Sequence, residues 1–391
     1  MRFHLLGVPH TVTSHEYLAC AYTQKVYKFG QMMDDHATLF HYGHEDSNLP
    51  CAEHVTVTTN DDLKKAYGSY DWRKEFFKYD LQDHAYQTFY KNAIREINAR
   101  FEPGDFVLPF WGNGVRKVCD EVQNNSANKN ALVVEPGIGY AKGHWARFKV
   151  WESYAMMHAY GGMDRVGYCN PDWYETVIPN YFDVSQFEFK DGVEKDDYFL
   201  FLGRVFEGKG VHIAIDIAQR LGIKLKIAGQ KDPNFRIPNH PNIEYVGYAD
   251  VETRKKLMSG AKGAFLPSTY SEPFGGVQIE CLLSGTPTIT TDWGAFTENN
   301  LPGLTGYRCR TFQDFISATQ SVMDGAIDSS TCRSWGENFS LNRIRPRYLK
   351  YFQDVANTLD PGGWYKLDPQ ASIYSLKPVR NRLQDDRIRN A

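Results

Sequence analysis

Residues 201–210 read FLGRVFEGKG, a glycine-rich stretch at the end of an apolar run, 198–202, and just before a helical pattern. Gly203 permits a tight turn at a strand end, and the backbone amides of such a turn point toward an anion. Arg204 and Lys209 bring two positive charges to this turn, one a forked guanidinium and the other a point charge. The stretch therefore predicts a strand–turn–helix unit that can hold a diphosphate.

The same stretch fits most of a P-loop, the phosphate-binding loop of nucleoside triphosphatases. Gly203, Gly208 and Lys209 have the required spacing, but residue 210 is Gly where a P-loop needs Ser or Thr to ligate Mg²⁺. A nucleoside triphosphatase is therefore disfavoured. Taken alone, the stretch is most simply a solvated turn with surface charges. The rest of the sequence must therefore decide whether it binds a ligand.

On both sides of this stretch, apolar runs alternate with helical patterns, which is typical of parallel α/β sheets. Residues 211, 214, 215, 218 and 221 are apolar at helical spacing, and Gly222 follows as a helix cap. The other predicted strands are 3–8, 38–42, 54–58, 105–109, 131–135, 198–202, 224–228, 243–246, 263–266 and 286–290, and the other predicted helices are 85–99, 114–122, 145–160, 251–259, 276–283 and 347–359.

The chain has 391 residues, more than one typical domain of roughly 100–200 residues. A charged segment, 187–197, separates two series of strands and helices. We predict an α/β fold with two Rossmann-like, doubly wound domains, 1–187 and 188–340, that face each other across a cleft. A helical tail, 341–391, is expected to pack back on the first domain. In such sheets ligands bind beyond the carboxyl ends of the strands.

Composition excludes several partners. The net charge is −3, which gives no basic field for nucleic acid or an anionic membrane. No run of 18 apolar residues predicts a transmembrane segment, and the first nine residues hold too short an apolar run for a signal peptide. The seven cysteines are scattered and form no Cys-x-x-Cys, which favours a reducing compartment. We expect a cytoplasmic protein, with peripheral membrane contact left open.

A second motif, SEPFGGVQIE at 271–280, also follows a predicted strand and opens a helix. Gly275 and Gly276 let a ligand approach the helix N-terminus, whose amides suit a phosphate. Carboxylates would not help a phosphate, so Glu272 and Glu280 make sense as acceptors for hydroxyl groups, on a sugar and on a ribose. The plainer interpretation of Glu280 is an exposed helix residue.

A third motif, VIPNYFD at 177–183, ends the first domain. In this order and at these distances, the three motifs resemble the signature of family 4 glycosyltransferases, which have the two-domain GT-B fold. The matching residues are Ile178, Pro179, Asn180, Asp183 and Phe187, then Gly203, Arg204, Lys209 and Gly210, then Glu272, Phe274, Gly275, Glu280, Gly285 and Pro287. The resemblance is specific over about 177–300 and reaches the first domain only through its strand–helix rhythm.

This resemblance implies a nucleoside diphosphate sugar, UDP- or GDP-linked, held mainly by the second domain. Arg204 and Lys209 would stabilise the diphosphate as its charge grows. The Gly275 and Gly276 amides would bind the distal phosphate or the sugar. Glu272 would bind sugar hydroxyls. Glu280 would accept a hydrogen bond from the ribose, and the base would lie near Gly229 and the loop 246–248, which contains Tyr248.

The implied reaction is a retaining transfer of a hexose to a hydroxyl of a glycan or other acceptor. Glycosyltransferases of the other large fold use an Asp-x-Asp motif to hold a metal on the diphosphate, and this chain contains none. The resemblance therefore implies no metal and no other cofactor, because Arg204 and Lys209 can replace the metal's charge.

The first domain is expected to supply the acceptor side. Its segment 133–144, VVEPGIGYAKGH, imitates a dinucleotide fingerprint with one residue too many, which leaves an oxidoreductase open. In family 4 a loop in this region faces the donor sugar and often carries a His, so Glu135 and His144 are equal candidates, with Gly137 beside them. The loop after the first strand makes His10 a further candidate. Each of these residues also has a plain structural interpretation.

Two other patterns bear on function. His41 and His44 have the spacing of a metal-binding pair, although an accidental pair is favoured. Residues 1–190 hold 33 of the 56 aromatic residues and 10 of the 12 His, which suits a domain that meets sugar rings. The alternatives to a transferase are a sugar-nucleotide epimerase of the same fold and a non-catalytic protein that binds nucleotide sugars or glycans. A phosphorylase is disfavoured because it normally needs a much longer chain.

Overall fold

The first sheet consists of seven parallel strands in the order β3-β2-β1-β4-β5-β6-β7. A computed structural model describes residues 1–140, 143–164, 173–189 and 191–360. The strands are β1 Arg2–Leu6, β2 Thr38–His44, β3 Glu53–Thr58, β4 Phe106–Pro109, β5 Leu132–Ile138, β6 Phe148–Trp151 and β7 Glu175–Val177. The helices of this part are α1 Ala21–Met33, α2 Asn60–Tyr67, α3 His84–Arg100, α4 Arg116–Asn124 and α5 Tyr154–Asp164.

The second sheet has six parallel strands in the order β10-β9-β8-β11-β12-β13. They are β8 Phe199–Leu202, β9 Leu225–Ala228, β10 Ile243–Gly247, β11 Gly263–Leu266, β12 Thr288–Thr291 and β13 Gly306–Cys309. The helices are α6 Val211–Leu221, α7 Val251–Gly260, α8 Gly276–Leu283, α9 Phe296–Asn299, α10 Phe312–Met323, α11 Ser329–Gly336 and α12 Leu341–Asn357. Two doubly wound parallel sheets confirm the predicted α/β fold class.

The order of the second sheet explains why two motifs that are distant in sequence meet. Strand order reverses between β8 and β11, which pair directly. The 201–210 stretch follows β8 and the 271–280 stretch follows β11, so both leave the carboxyl edge of the sheet at this switch point. Ligands of doubly wound sheets bind at such a point.

Gly210 belongs to this junction for a steric reason. It precedes α6 with φ +69°, and a Cβ at this position would lie 2.0 Å from the Pro267 carbonyl oxygen. Neither Ser nor Thr fits there without moving the backbone. The stretch therefore lacks both the residue and the space that a P-loop requires, which removes the nucleoside triphosphatase alternative.

The last described helix, α12, packs against the first domain although it follows the second. The chain returns to the first domain beside Phe182. The Phe182 amide donates to the Phe339 carbonyl at 2.9 Å, and the Leu341 amide donates to the Phe182 carbonyl at 3.0 Å. Phe352 is fully buried, with its ring 4.7 Å from that of Phe3 and 5.2 Å from that of Phe106. The rest of the predicted tail, 361–391, lies outside the described residues.

The structure differs from prediction at residues 145–160, where a single helix was expected. Residues Phe148–Trp151 instead form β6, between β5 and β7, and α5 begins only at Tyr154. All four residues of β6 are buried. A short strand buried on both faces has no alternating pattern, so its apolar residues can also match a helical spacing.

No helix among the described residues is long and apolar enough to span a membrane.

We expect the substitution Phe352→Ala to lower the free energy of unfolding by about 3–5 kcal/mol, because it opens a cavity among buried rings of the first domain. Denaturant titration of the full chain measures this loss. Gln353→Ala is the matched control, since Gln353 is the exposed neighbour on the same helix. Equal stability of the two variants would contradict the packing of α12 on the first domain.

Candidate functional site

A cleft of about 450 Å³ separates the two sheets and is lined from both sides. Eight residues predicted from the second-domain motifs line it, namely Gly203, Arg204, Lys209, Tyr248, Glu272, Gly275, Gly276 and Glu280. The opposite wall includes Tyr22, Lys25 and Lys28 of α1 together with Gly139 and Glu152. The cleft thus brings the second-domain candidates together and faces them with residues that, apart from Gly139 of the 133–144 segment, the sequence analysis did not identify.

Lys209 and Glu272 form an ion pair on the second-domain wall, with Lys209 Nζ 2.5 Å from Glu272 Oε1. The Ser268 hydroxyl donates to the same carboxylate oxygen at 2.6 Å. Burial opposes the charge of Lys209, but the attraction of Glu272 and contact with Tyr270 outweigh it and raise the pKa of Lys209. The ammonium is therefore charged at neutral pH and fixed beside the 271–280 stretch.

Arg204 is exposed at the end of β8 and has no ion-pair partner among the described residues. Its guanidinium lies 5.7 Å from the centre of the Phe77 ring and 5.8 Å from that of Phe76, both of the first domain. A cation over an aromatic face is attracted to it yet keeps its hydrogen-bond donors available. Arg204 is thus positioned over the cleft with its five N–H groups open to an anionic ligand.

Gly275 and Gly276 begin α8 with their backbone open to the cleft. Gly275 has φ +79° and caps the helix without a side-chain hydrogen bond, and Gly276 is its first residue. The first amides of a helix have no partner within the helix and favour negative charge. With Arg204 and Lys209 at the same sheet edge, this arrangement can bind a diphosphate.

Glu280 and Tyr248 also line the cleft. Glu280 forms an ion pair with Arg254 of α7, a partner that the sequence did not identify. The Tyr248 hydroxyl is buried and has no hydrogen-bond partner within the described part of the chain. The Tyr248 ring meets Trp72 of the first domain edge to face at 5.9 Å. A planar group with polar edges, such as a nucleobase, suits these surroundings.

Two contacts hold the walls together beside the 271–280 stretch. The Ser153 hydroxyl donates to the Pro273 carbonyl at 2.7 Å. The first two amides of α5, those of Tyr154 and Ala155, donate to the Glu298 carboxylate at 3.0 and 2.7 Å. A carboxylate is the favoured partner for a helix N-terminus. The loop after β6 is therefore fixed directly against the second domain.

The first-domain candidate Glu135 does not line the cleft. Its side chain is fully buried and accepts hydrogen bonds from the Tyr140 hydroxyl at 2.6 Å and from the amides of Trp145 and Ala146 at 2.8 and 2.7 Å. Burial raises the pKa of Glu135, and these three hydrogen bonds act in the opposite direction. All its hydrogen-bond donors among the described residues belong to the loop that follows β5, so the geometry gives Glu135 an anchoring role.

His10 is also enclosed by the first domain. It is 3% exposed, its Nδ1 lies 2.8 Å from the Tyr86 hydroxyl, and the rings of Phe77, Tyr79 and Trp111 pack around it. Burial lowers the pKa of His10 to about 3, so the imidazole is neutral at neutral pH. It does not line the cleft.

The two remaining first-domain candidates lie behind the cleft wall. Gly137 contacts Lys25 of the cleft wall, whose ammonium donates to the Gly137 carbonyl at 2.8 Å. His144 lies edge to face against Trp151, with ring centres 4.8 Å apart. Neither lines the cleft. Sequence reasoning identified this loop through its glycines. It missed Glu152, a first-domain carboxylate that does line the cleft.

His41 and His44 have the spacing of a metal-binding pair, and His41 lies beside a third histidine, His54. His41 and His54 lie with their Nδ1 atoms 2.9 Å apart, and burial lowers the pKa of both. Within the described ranges no three His, Cys, Asp or Glu side chains are grouped so that they could hold a metal ion.

Comparison with known proteins supports the second-domain motifs. Residues 184–339 match the family described as glycosyl transferases group 1. A glycogen synthase of Mycobacterium tuberculosis is 32% identical over 165 residues, which cover 38% of this chain and 40% of that relative. The chain thus spans about two fifths of the length of this curated relative.

Solved structures extend the likeness to both domains. A glycosyltransferase involved in avilamycin A biosynthesis superposes with a TM-score of 0.64 at 18% identity and covers 91% of this chain and 98% of its own. The Anabaena protein HepE, solved with UDP and glucose, has a TM-score of 0.64 at 13% identity and covers 90% and 99%. At these identities the likeness concerns the fold alone, and it confirms the predicted GT-B fold.

We expect Glu135→Ala to lower the free energy of unfolding by about 3 kcal/mol, because it leaves three donors without an acceptor. Glu135→Gln keeps one acceptor oxygen and serves as the matched control, with a loss of about 1 kcal/mol. Denaturant titration measures both. Unchanged stability of Glu135→Ala, combined with lost binding of a nucleotide sugar, would contradict the anchoring role and return Glu135 to the ligand site.

Proposed function

We propose that this chain is a retaining glycosyltransferase that moves a hexose from a UDP- or GDP-linked donor to a hydroxyl of a glycan or another acceptor. The observation that supports this most directly is the junction of β8 and β11. There Arg204, Lys209 and the open N-terminus of α8 lie at one sheet edge, with the Glu272 carboxylate among them. Donors for a diphosphate and an acceptor for sugar hydroxyls are thus adjacent, as a nucleotide sugar requires.

In this proposal the diphosphate lies against the Arg204 guanidinium, the Lys209 ammonium and the Gly275–Gly276 backbone. As the bond from the anomeric carbon to the diphosphate breaks, negative charge grows on the leaving oxygen. Fixed cations and amides stabilise that charge more than they stabilise the ground state, which lowers the barrier. These side-chain cations supply the charge that a metal supplies in other transferases, so no cofactor is proposed.

The remaining residues orient the donor. Glu272 is held by Lys209 and Ser268 and keeps lone pairs for sugar hydroxyls. Glu280 is held by Arg254 and takes the ribose, and Tyr248 lies by the base. Retention of anomeric configuration rests on the motif resemblance: the acceptor attacks on the face that the diphosphate leaves, and the leaving phosphate can take the acceptor's proton.

The same site would serve the two alternatives, which differ in their products. An epimerase returns the nucleotide sugar with one stereocentre changed and releases no nucleoside diphosphate. A non-catalytic protein binds the nucleotide sugar and leaves it intact with every acceptor. Release of a nucleoside diphosphate that depends on an added acceptor favours the transferase over both.

We also propose a cytoplasmic protein. The six cysteines in the described ranges are free thiols, five of them buried, as suits a reducing compartment. Contact with a membrane surface would be peripheral.

Substituting Arg204 or Lys209 by Ala is expected to lower kcat/KM for transfer by about a hundredfold to a thousandfold. Each substitution removes a cation that stabilises the negative charge of the transition state. The measurement is nucleoside diphosphate release from UDP- and GDP-hexoses with a panel of acceptors, in the presence of a metal chelator.

Arg220→Ala is the matched control, since Arg220 is an exposed cation in the last turn of α6 in the same domain. It is expected to react at the parental rate. Near-parental turnover of both Arg204→Ala and Lys209→Ala, with normal unfolding midpoints, would refute the assigned roles.

A further inference from the structure

An ion pair that the proposed reaction has not used forms part of the first-domain wall. Lys25 of α1 and Glu152, directly after β6, pair with each other, and only 8% and 4% of their side chains are exposed. Both nevertheless line the cleft. Removing two charges from water costs several kcal/mol per ion, and such a pair is seldom retained for stability alone. Its position on a ligand cleft therefore calls for another explanation.

The surrounding loop is shaped to admit this pair. Lys25 donates to the Gly137 carbonyl at 2.8 Å, and its ammonium lies 4.5 Å from the centre of the Tyr22 ring. At Gly139 a Cβ would lie 2.6 Å from Glu152 Oε2, so any other residue would displace the carboxylate. Gly139, one glycine of the segment that imitates a dinucleotide fingerprint, thus has a different physical reason, which is to make room for Glu152.

The Glu152 carboxylate lacks hydrogen-bond donors. A carboxylate has about four acceptor positions, and buried ones are normally filled. The Lys25 ammonium contacts Oε1, and no other group in the described part of the chain donates a hydrogen bond to either side-chain oxygen of Glu152. A ligand in the cleft that carries hydroxyl groups supplies the missing donors.

A contact between the domains relates Glu152 to Glu272, the proposed acceptor for sugar hydroxyls. The next residue, Ser153, donates through its hydroxyl to the Pro273 carbonyl, and Pro273 directly follows Glu272. Ser153 and Pro273 thus form one contact between the domains, and Glu152 and Glu272 directly precede these two residues in the sequence. The two carboxylates approach the cleft from opposite walls, and each is held by a lysine.

We infer that the Lys25–Glu152 pair is the first-domain half of the donor-sugar site, in which Glu152 accepts a hydrogen bond from a hydroxyl of the transferred sugar. This inference rests on the proposed function. It takes over the sugar-contacting role that the sequence assigned to Glu135 or His144. Lys25 acts as a positioning residue, because its ammonium is directed to Glu152 and Gly137. The site therefore selects a sugar with a free hydroxyl at the position facing Glu152.

The test is a double variant, Lys25→Met and Glu152→Met together, which removes both charges at nearly constant volume and leaves no unpaired ion. Its matched control removes an exposed pair of α4, Arg116→Met with Asp120→Met. Calorimetry measures binding of UDP, GDP, UDP-glucose and GDP-mannose to the parent, the variant and the control. The parent then binds the 2-, 3-, 4- and 6-deoxy forms of the donor it prefers.

In the Lys25/Glu152 variant, affinity for the free nucleoside diphosphate stays within about twofold of the parent, and affinity for the nucleotide sugar falls at least about tenfold. One deoxy donor binds the parent about tenfold more weakly than the full donor, and the variant does not distinguish the two. The Arg116/Asp120 control matches the parent throughout.

Two results would overturn the inference while the proposed function stands. One is a variant that prefers the full donor over every deoxy form as the parent does. The other is an equal loss of nucleotide and nucleotide sugar, which would mean that the pair only shapes the cleft. Failure of the parent to bind any nucleotide sugar would instead refute the proposed function, and the inference with it.

Discussion

The Glu298 carboxylate of the second domain accepts hydrogen bonds from the first two amides of α5 in the first domain, and the arrangement of the cleft depends on this contact. It fixes the loop after β6, from which Glu152 and Ser153 reach the cleft and the Pro273 carbonyl. A carboxylate on unpaired helix amides is favourable even when partly buried. The two halves of the proposed site are therefore placed against each other by polar contacts at their rim.

The second domain was predictable because its signals are local. The strands β8 and β11 are apolar runs, each followed by a loop with glycines and a helix, and β11 and α8 lie at the predicted bounds. The ligand motifs directly follow strands, and the parallel topology brings their ends to one edge. The sequence could not predict which charged residues pair. No spacing in the sequence links Arg254 to Glu280, because the two residues lie on different helices.

The first domain was less predictable because its site residues come from distant segments. β6 is too short and too buried to show an alternating pattern, so Glu152 fell within a predicted helix rather than at a strand end. The sequence analysis did not identify Lys25, and only the fold shows that it is buried. Glu135 stood out because it follows an apolar run, whereas its three hydrogen bonds from the following loop are visible only in three dimensions.

The central claim is that the cleft between the domains binds a nucleoside diphosphate sugar. The most direct measurement is the unfolding midpoint of the full chain with a panel of UDP- and GDP-hexoses. At about 100 times its dissociation constant, the correct donor should stabilise the folded chain by about 2.7 kcal/mol, a clear rise in the midpoint. If no nucleotide sugar raises the midpoint at concentrations up to several millimolar, the account is contradicted.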